Sequence, residues 1–143
     1  MTRRRKILLG VSLMAVIAVL YPAFVLGYTW KCVVASDLPG GRHGPLDGYR
    51  HALASAVVSY TLHPAVVPVV NLAMESQGKD SNRMDRHNNL LGASIGDEVG
   101  EFGEIEPLVR ALAESGSSGA PLPGRMAWPV SYTHLTLPTS IQV

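Results

Sequence analysis

Charge is scarce in this sequence: Asp, Glu, Lys and Arg make up 16% of its 143 residues, well below the roughly 25% of an ordinary soluble domain. A highly charged disordered chain is excluded, and a lipid-facing segment is expected. Aromatic residues are few as well, at 6%. The lone cysteine, Cys32, rules out an intrachain disulfide and zinc sites built from several cysteines. The bulky, polar residues before it, Tyr28-Thr29-Trp30-Lys31, are no lipobox, and the thiol reads as a small inert core group. A basic face is missing too. Arg3, Arg4, Arg5 and Lys6 hold four of the twelve basic residues, leaving eight against eleven acidic ones over the rest of the chain. That balance excludes nucleic-acid binding. No internal repeat is visible, and the length is that of a single domain.

What the sequence does have is an uncharged run of twenty-one residues, Ile7–Gly27. At about 1.5 Å per residue it reaches across the ~30 Å hydrocarbon core of a bilayer. The basic end at residues 1–6 precedes it, so the positive-inside rule predicts a cytoplasmic N-terminus and an extracytoplasmic remainder. Tyr28 and Trp30 then read as interfacial aromatics. The run exceeds the usual ~7–15 apolar residues of a signal peptide, which favours an uncleaved anchor. Val25-Leu26-Gly27 keeps cleavage after Gly27 open as the competing reading.

Residues 28–45 read as a linker, dense in Gly and Pro from Ser36 to Pro45. The alanine-rich stretch Leu46–Leu62 predicts a helix, with Pro45 suited to its first turn and Pro64 ending it. Ala65–Glu75 predicts a short packed helix, because Pro68 argues against a central strand. Gln77–Met84 reads as a loop before a helix from Asp85 or Arg86 to about Phe102, and Glu104–Glu114 as a further helix. Gly92, Gly96 and Gly100 recur every four residues. Since each glycine costs a helix about 1 kcal/mol relative to alanine, they predict a close crossing with Ala52, Ala56, Ser55 and Ser59. Residues 116–129 have linker composition. The string VSYTHLTLPT resembles the conceptual translation of a transposase-type sequencing adapter, so 130–143 reads as a non-native tail in which Tyr132 and His134 carry no function. The expected fold is all-α: an N-terminal transmembrane helix and a bundle of about four helices over 46–115.

Two polar constellations stand out. Helical spacing puts Asp47, Arg50 and His51 on one face, and that face continues as Ala54, Ser55, Val58 and Leu62. His51 is therefore expected at the mouth of the core, held by a carboxylate one turn before it, which is a general-base arrangement. The alternative is a structural pair in which Asp47 meets the positive end of the helix dipole. The second constellation is Asp85, His87, Asn88 and Asn89. Asp85 suits a helix N-cap. Asn88 shares a face with Leu91, Ile95, Val99 and Phe102, so its amide needs a buried partner, expected on the preceding long helix. Glu75 is a third inward-facing candidate, and Asp97, Glu98, Glu101, Glu104 and Glu106 read as a solvated acidic face. Metal binding through His51, His87 and the aspartates is only a weak signal, because no two histidines have a ligand spacing such as HExxH; no metal site is assigned and no cofactor is identified.

The pair DGYRHALAS (Asp47–Ser55) and MDRHNNLLG (Met84–Gly92) resembles a bacterial domain-of-unknown-function family with paired DxxRHA and MDxHNNxxG motifs, similar to prokaryotic Wnt-like domains. The resemblance covers about Leu46–Phe102. Leu53 and Ala54 depart from it, standing where members often carry a bulky aromatic. It implies an enzymatic role on lipid headgroups or other envelope material. The site it implies has Asp47, His51, Asp85 and His87 as catalytic groups and Arg50, Asn88, Asn89 and Glu75 around the substrate. The expectation is an inner-membrane protein, in contact with membrane lipid through its N-terminal helix, with a hydrolase-like site facing an envelope substrate. A non-catalytic envelope module with a polar core network is the alternative.

Overall fold

The structure, a computed structural model, describes residues 2–68 and 80–129. Glu75, most of the predicted Ala65–Glu75 helix and the whole tail 130–143 lie outside the described residues.

Helix α1 spans Arg3–Ala35 without interruption, Pro22 included. Its first part, through Leu20, is exposed on all sides. This helix is long and apolar enough to cross a membrane. From Val25 onward its character changes. Val25, Thr29 and Val33, four residues apart, form a buried stripe, and Tyr28 and Cys32 pack against the core beside them. The expected linker therefore begins later: residues 28–35 continue the helix and belong to the domain. Tyr28 packs edge-on to Phe102, with ring centroids 4.9 Å apart, rather than facing outward, whereas Trp30 stays exposed.

The chain then turns through a Gly-rich loop in which Gly40 and His43 both have positive φ, 88° and 67°. Helix α2 follows at Pro45–Thr61, with Pro45 in its first turn as predicted. Helix α3 spans Asp80–Glu98, which makes Asp85 an interior residue and not the N-cap, and turns much of the expected loop into helix. A 3-10 turn, Phe102–Glu104, closed by a reciprocal Glu101/Glu104 capping box, leads into α4, Ile105–Glu114. Ile105, Val109 and Ala113 form its buried stripe.

Helices α2 and α3 run parallel. Gly92 faces Ala52 and Gly96 faces Ala56, each so close that a β-carbon would overlap the alanine's backbone oxygen. Ser59 Oγ donates to the Ala93 carbonyl at 2.7 Å, and Ser55 Oγ donates to Asn89 Oδ1 at 3.0 Å across the same seam. The expected crossing is present, but Gly100 takes no part in it.

The segment after α4 differs most from its linker-like composition. Ser117–Ser118 (β1) pairs in parallel with Ala127–Trp128 (β2), and Met126 is completely buried among Tyr49, Leu53, Ile105 and Val109. The Gly/Pro-rich stretch is a cover that closes the core.

Candidate functional site

The first turn of α2 carries Asp47, and one turn later come Arg50 and His51. Asp47 is 95% buried, since only 5% of its side chain is exposed. Its Oδ2 accepts a hydrogen bond from the His43 backbone N–H at 2.8 Å, tying the preceding loop to the helix. That bond sits beside the unpaired donors of the helix start, where a carboxylate is favoured. Its other oxygen, Oδ1, forms an ion pair with the Arg50 guanidinium.

His51 Nε2 lies 3.8 Å from Asp47 Oδ1 and 3.6 Å from Asp85 Oδ1, the latter reaching across from α3. Arg50 Nη2 stands 3.3 Å from the same nitrogen. A guanidinium only donates, so in the neutral ring that uses this contact Nε2 is the acceptor and the proton is on Nδ1. The basic lone pair of His51 thus points into a gap walled by two carboxylates and one guanidinium. The glycine seam makes this possible: a wider spacing of α2 and α3 would take Asp85 out of range. Burial pushes the Asp85 carboxyl above the ordinary carboxylate range; the His51 ring opposes this and the Asp47 charge adds to it.

Of the residues singled out by sequence, Asp47, Arg50, His51 and Asp85 are brought together. His87, Asn88 and Asn89 are directed elsewhere. Asn88, 1% exposed, donates from Nδ2 to the Ala127 carbonyl at 2.7 Å and accepts from the Ala127 N–H at 3.0 Å. Its partner is therefore the backbone of β2 and not the expected helix, and both ends of its amide are engaged. His87 Nε2 bonds the Arg125 carbonyl at 2.7 Å in the same segment, and Asn89 supplies the expected link to α2 through Ser55. Sequence reading passed over His43, whose ring is 3.9 Å from Asp47 Oδ2. Its only signal was its place in a Gly-rich turn just ahead of Asp47.

A second polar group lies on the far side of α2. Tyr49 donates to Glu106 Oε1 at 2.7 Å, and Arg110 binds both Glu106 and Asp37. Burial and this hydrogen bond raise the Tyr49 phenol well above its ordinary value. Glu106 is therefore a core partner and no part of a solvated acidic face. An open concavity of about 850 Å³ between α3 and α4, lined by Val99, Glu104 and Leu108 among others, includes none of the His51 cluster.

No protein-family model matches the chain, and no curated protein or solved structure matches it.

Proposed function

We propose that the chain is a membrane-anchored extracytoplasmic domain of the bacterial inner membrane, whose Asp47–Arg50–His51–Asp85 cluster performs acid/base chemistry on an envelope substrate, a lipid headgroup or cell-wall material. The observation that carries this reading is His51 Nε2, which stands 3.6 and 3.8 Å from two carboxylate oxygens on a side chain that is 28% exposed. In this reading Nε2 takes the proton of water or of a substrate hydroxyl. The Arg50 guanidinium, 38% exposed, has donors left for an anionic or carbonyl oxygen. Asp85, with its raised affinity for a proton, is the matching acid. Asn88 drops out of substrate binding because it is buried and both ends of its amide bond Ala127.

The lie of the helices supports a substrate at the membrane surface. Tyr21 meets Thr61 with 2.7 Å between hydroxyl oxygens, while Cys32 and Tyr49 share the core, so α2 runs antiparallel beside α1. His51 then stands level with about Trp30 and Lys31. That is roughly 5 Å beyond the end of the apolar run at Gly27, within the headgroup layer of a bilayer.

The second reading, a non-catalytic module, has its own support: His87, Asn88 and Asn89 all serve packing. The experiment that separates the two uses the full chain in phosphatidylglycerol/phosphatidylethanolamine vesicles, following headgroup release by phosphorus NMR alongside thermal melts. Release that disappears in His51→Ala at an unchanged melting temperature supports the acid/base site. No release by the parent chain, with His51→Ala melting several degrees lower, supports the structural module.

A further inference from the structure

The concavity between α3 and α4 is an open trough with apolar walls. One wall carries Ile95 and, a turn later, Val99; the other carries Leu108 and, a turn later on α4, Leu112. Side chains one turn apart lie on the same helical face, so an apolar ridge runs along each side of a space of about 850 Å³. The core covers Ile95, Val99 and Leu112 only in part, and Leu108 is 48% exposed. Gly100 and Gly103 leave one end without side chains: a β-carbon at Gly103 would meet nothing within 4 Å.

The polar side chains of the lining are acidic. Glu98 Oε1 accepts from Ser94 Oγ at 3.1 Å, and Glu104 Oε2 accepts from the Gly100 and Glu101 N–H groups at 3.1 Å each. These bonds hold the two exposed carboxylates in place without neutralising them. No Lys or Arg lines the trough, and neither carboxylate has a cationic partner among the described residues.

Those charges decide what can cover the walls. Hydrocarbon cannot, because carboxylates are too expensive to bring into it. A second copy docked trough to trough about a two-fold axis would set Glu98 and Glu104 of both chains against one another, and like charges across an interface are strongly unfavourable. A small ligand is enclosed over most of its surface, which an open trough does not do. A helix with one apolar and one basic face meets all of these conditions: its apolar side chains lie between the ridges, its cations reach the carboxylates, and its outer side stays in water.

We infer that the α3–α4 trough docks a cationic amphipathic helix of a partner protein, whose apolar face packs on Ile95, Val99, Leu108 and Leu112 and whose Lys or Arg residues lie beside Glu98 and Glu104. Docking here needs none of the residues of the proposed acid/base site.

The test uses the full chain in phosphatidylcholine nanodiscs, which do not draw a basic peptide to anionic lipid. The probe is a synthetic Leu/Lys helix of about four turns, with leucines three and four residues apart and one of them replaced by photoreactive benzoylphenylalanine. A Leu/Glu peptide of the same pattern is the control, and mass spectrometry locates the crosslinks. The Leu/Lys peptide is expected to crosslink saturably within residues 95–112 and the Leu/Glu peptide not to. Half-saturation should move to about tenfold higher peptide concentration in Leu108→Ser, as for loss of a central apolar anchor. It should move about fivefold in Glu98→Lys. Glu114→Lys, exposed at the far end of α4, should leave it unchanged. Leu108 and Glu98 are both exposed, and circular dichroism checks that each variant is folded. Equal crosslinking by the Leu/Glu peptide overturns the proposal, as do crosslinks outside 95–112 or crosslinks that neither variant weakens. Benzoylphenylalanine in place of Leu108, irradiated without peptide, tests the other occupants: efficient crosslinking to lipid or to a second copy assigns the trough to that occupant and overturns the proposal as well.

Discussion

Gly92 of α3 lies against the backbone carbonyl of Ala52 in α2, with no room between them for a side chain. The contact sets the distance between the two helices that frame the His51 gap. Gly92→Ala forces a β-carbon into that carbonyl and is expected to lower stability by about 1–3 kcal/mol, the range for overpacking a well-filled interior. Gly96→Ala should behave alike against Ala56, whereas Gly100→Ala, with only a distant Glu104 oxygen nearby, should melt like the parent chain. Thermal denaturation of the three variants side by side checks this, and equal losses at all three positions would be inconsistent with the seam.

Asn88 joins α3 to β2 through two hydrogen bonds to one residue, Ala127. Asn88→Ala leaves a buried N–H and a buried carbonyl without partners, each worth about 1–3 kcal/mol. Asn88→Asp keeps the shape but turns a donor into an acceptor facing the Ala127 carbonyl. Both are expected to loosen the segment around Met126, read as faster amide hydrogen exchange at Ala127 and a lower denaturation midpoint.

Thr29 presents a different case. It is 2% exposed, and its hydroxyl has no hydrogen-bond partner among the described residues. Thr29→Val preserves the shape and removes the orphaned group, so it should stabilise the domain by about 1 kcal/mol. A chemical-denaturation midpoint that falls instead would mean that the hydroxyl is satisfied in solution.

Much of this architecture is legible in the sequence because it rests on local rules. The uncharged run, the Pro45 start of α2 and the four-residue glycine spacing each have a direct physical consequence, and each appears in the fold. The i,i+3 and i,i+4 grouping of Asp47, Arg50 and His51 is equally local. The contribution of Asp85 is not, because its place beside His51 depends on the offset between α2 and α3. Composition alone misjudges residues 116–129, where Gly and Pro suggest a linker. Their order comes from long-range partners, the Asn88 amide and the core around Met126, which no local pattern encodes. The continuation of α1 into the domain is hidden for a similar reason: the stripe of Val25, Thr29 and Val33 looks like the end of an apolar run until the domain packs on it.

Asp85 gives the site a pH signature whose sign follows from its surroundings. Burial holds its folded-state affinity for a proton above the unfolded value of about 4. Between those two values the native state binds more protons than the unfolded chain, so this group's contribution to stability falls as pH rises through the window. Asp85→Asn removes the titration and should flatten that part of the stability profile, with the gain over the parent largest above the window. Denaturation midpoints measured from about pH 4 to neutrality check it. A parent profile whose slope is unchanged by the substitution would show that Asp85 titrates normally.

The relation of α1 to the rest of the domain bears on how deep the protein sits. Contact with the domain begins at Tyr21, so the part of the apolar run free of it, Ile7–Leu20, is fourteen residues long. At about 1.5 Å per residue that gives roughly 21 Å, some 9 Å short of a bilayer core. If α1 spans the bilayer as proposed, the remainder comes from the stretch beside Thr61 and Phe102, which brings the exposed side chains of Phe24, Tyr60 and Leu62 down to the membrane. Asp97, Glu98 and Glu101 are exposed at the same end, since α3 runs parallel to α2. Carboxylates are too expensive in hydrocarbon to let the domain sink further. With α1 spanning the bilayer as proposed, this balance holds the rim at the edge of the hydrocarbon, with Gly27 of α1 at the headgroup boundary. A nitroxide on Leu62→Cys, in a Cys32→Ser background and reconstituted in vesicles, should be reached by both oxygen and a water-soluble nickel relaxant. The same label on Arg83→Cys, exposed in the first turn of α3 and so at the opposite end, should be reached mainly by nickel. A Leu62 label as open to nickel as the Arg83 label would lift the domain clear of the lipid, and would require α1 to part from α2 near Tyr21.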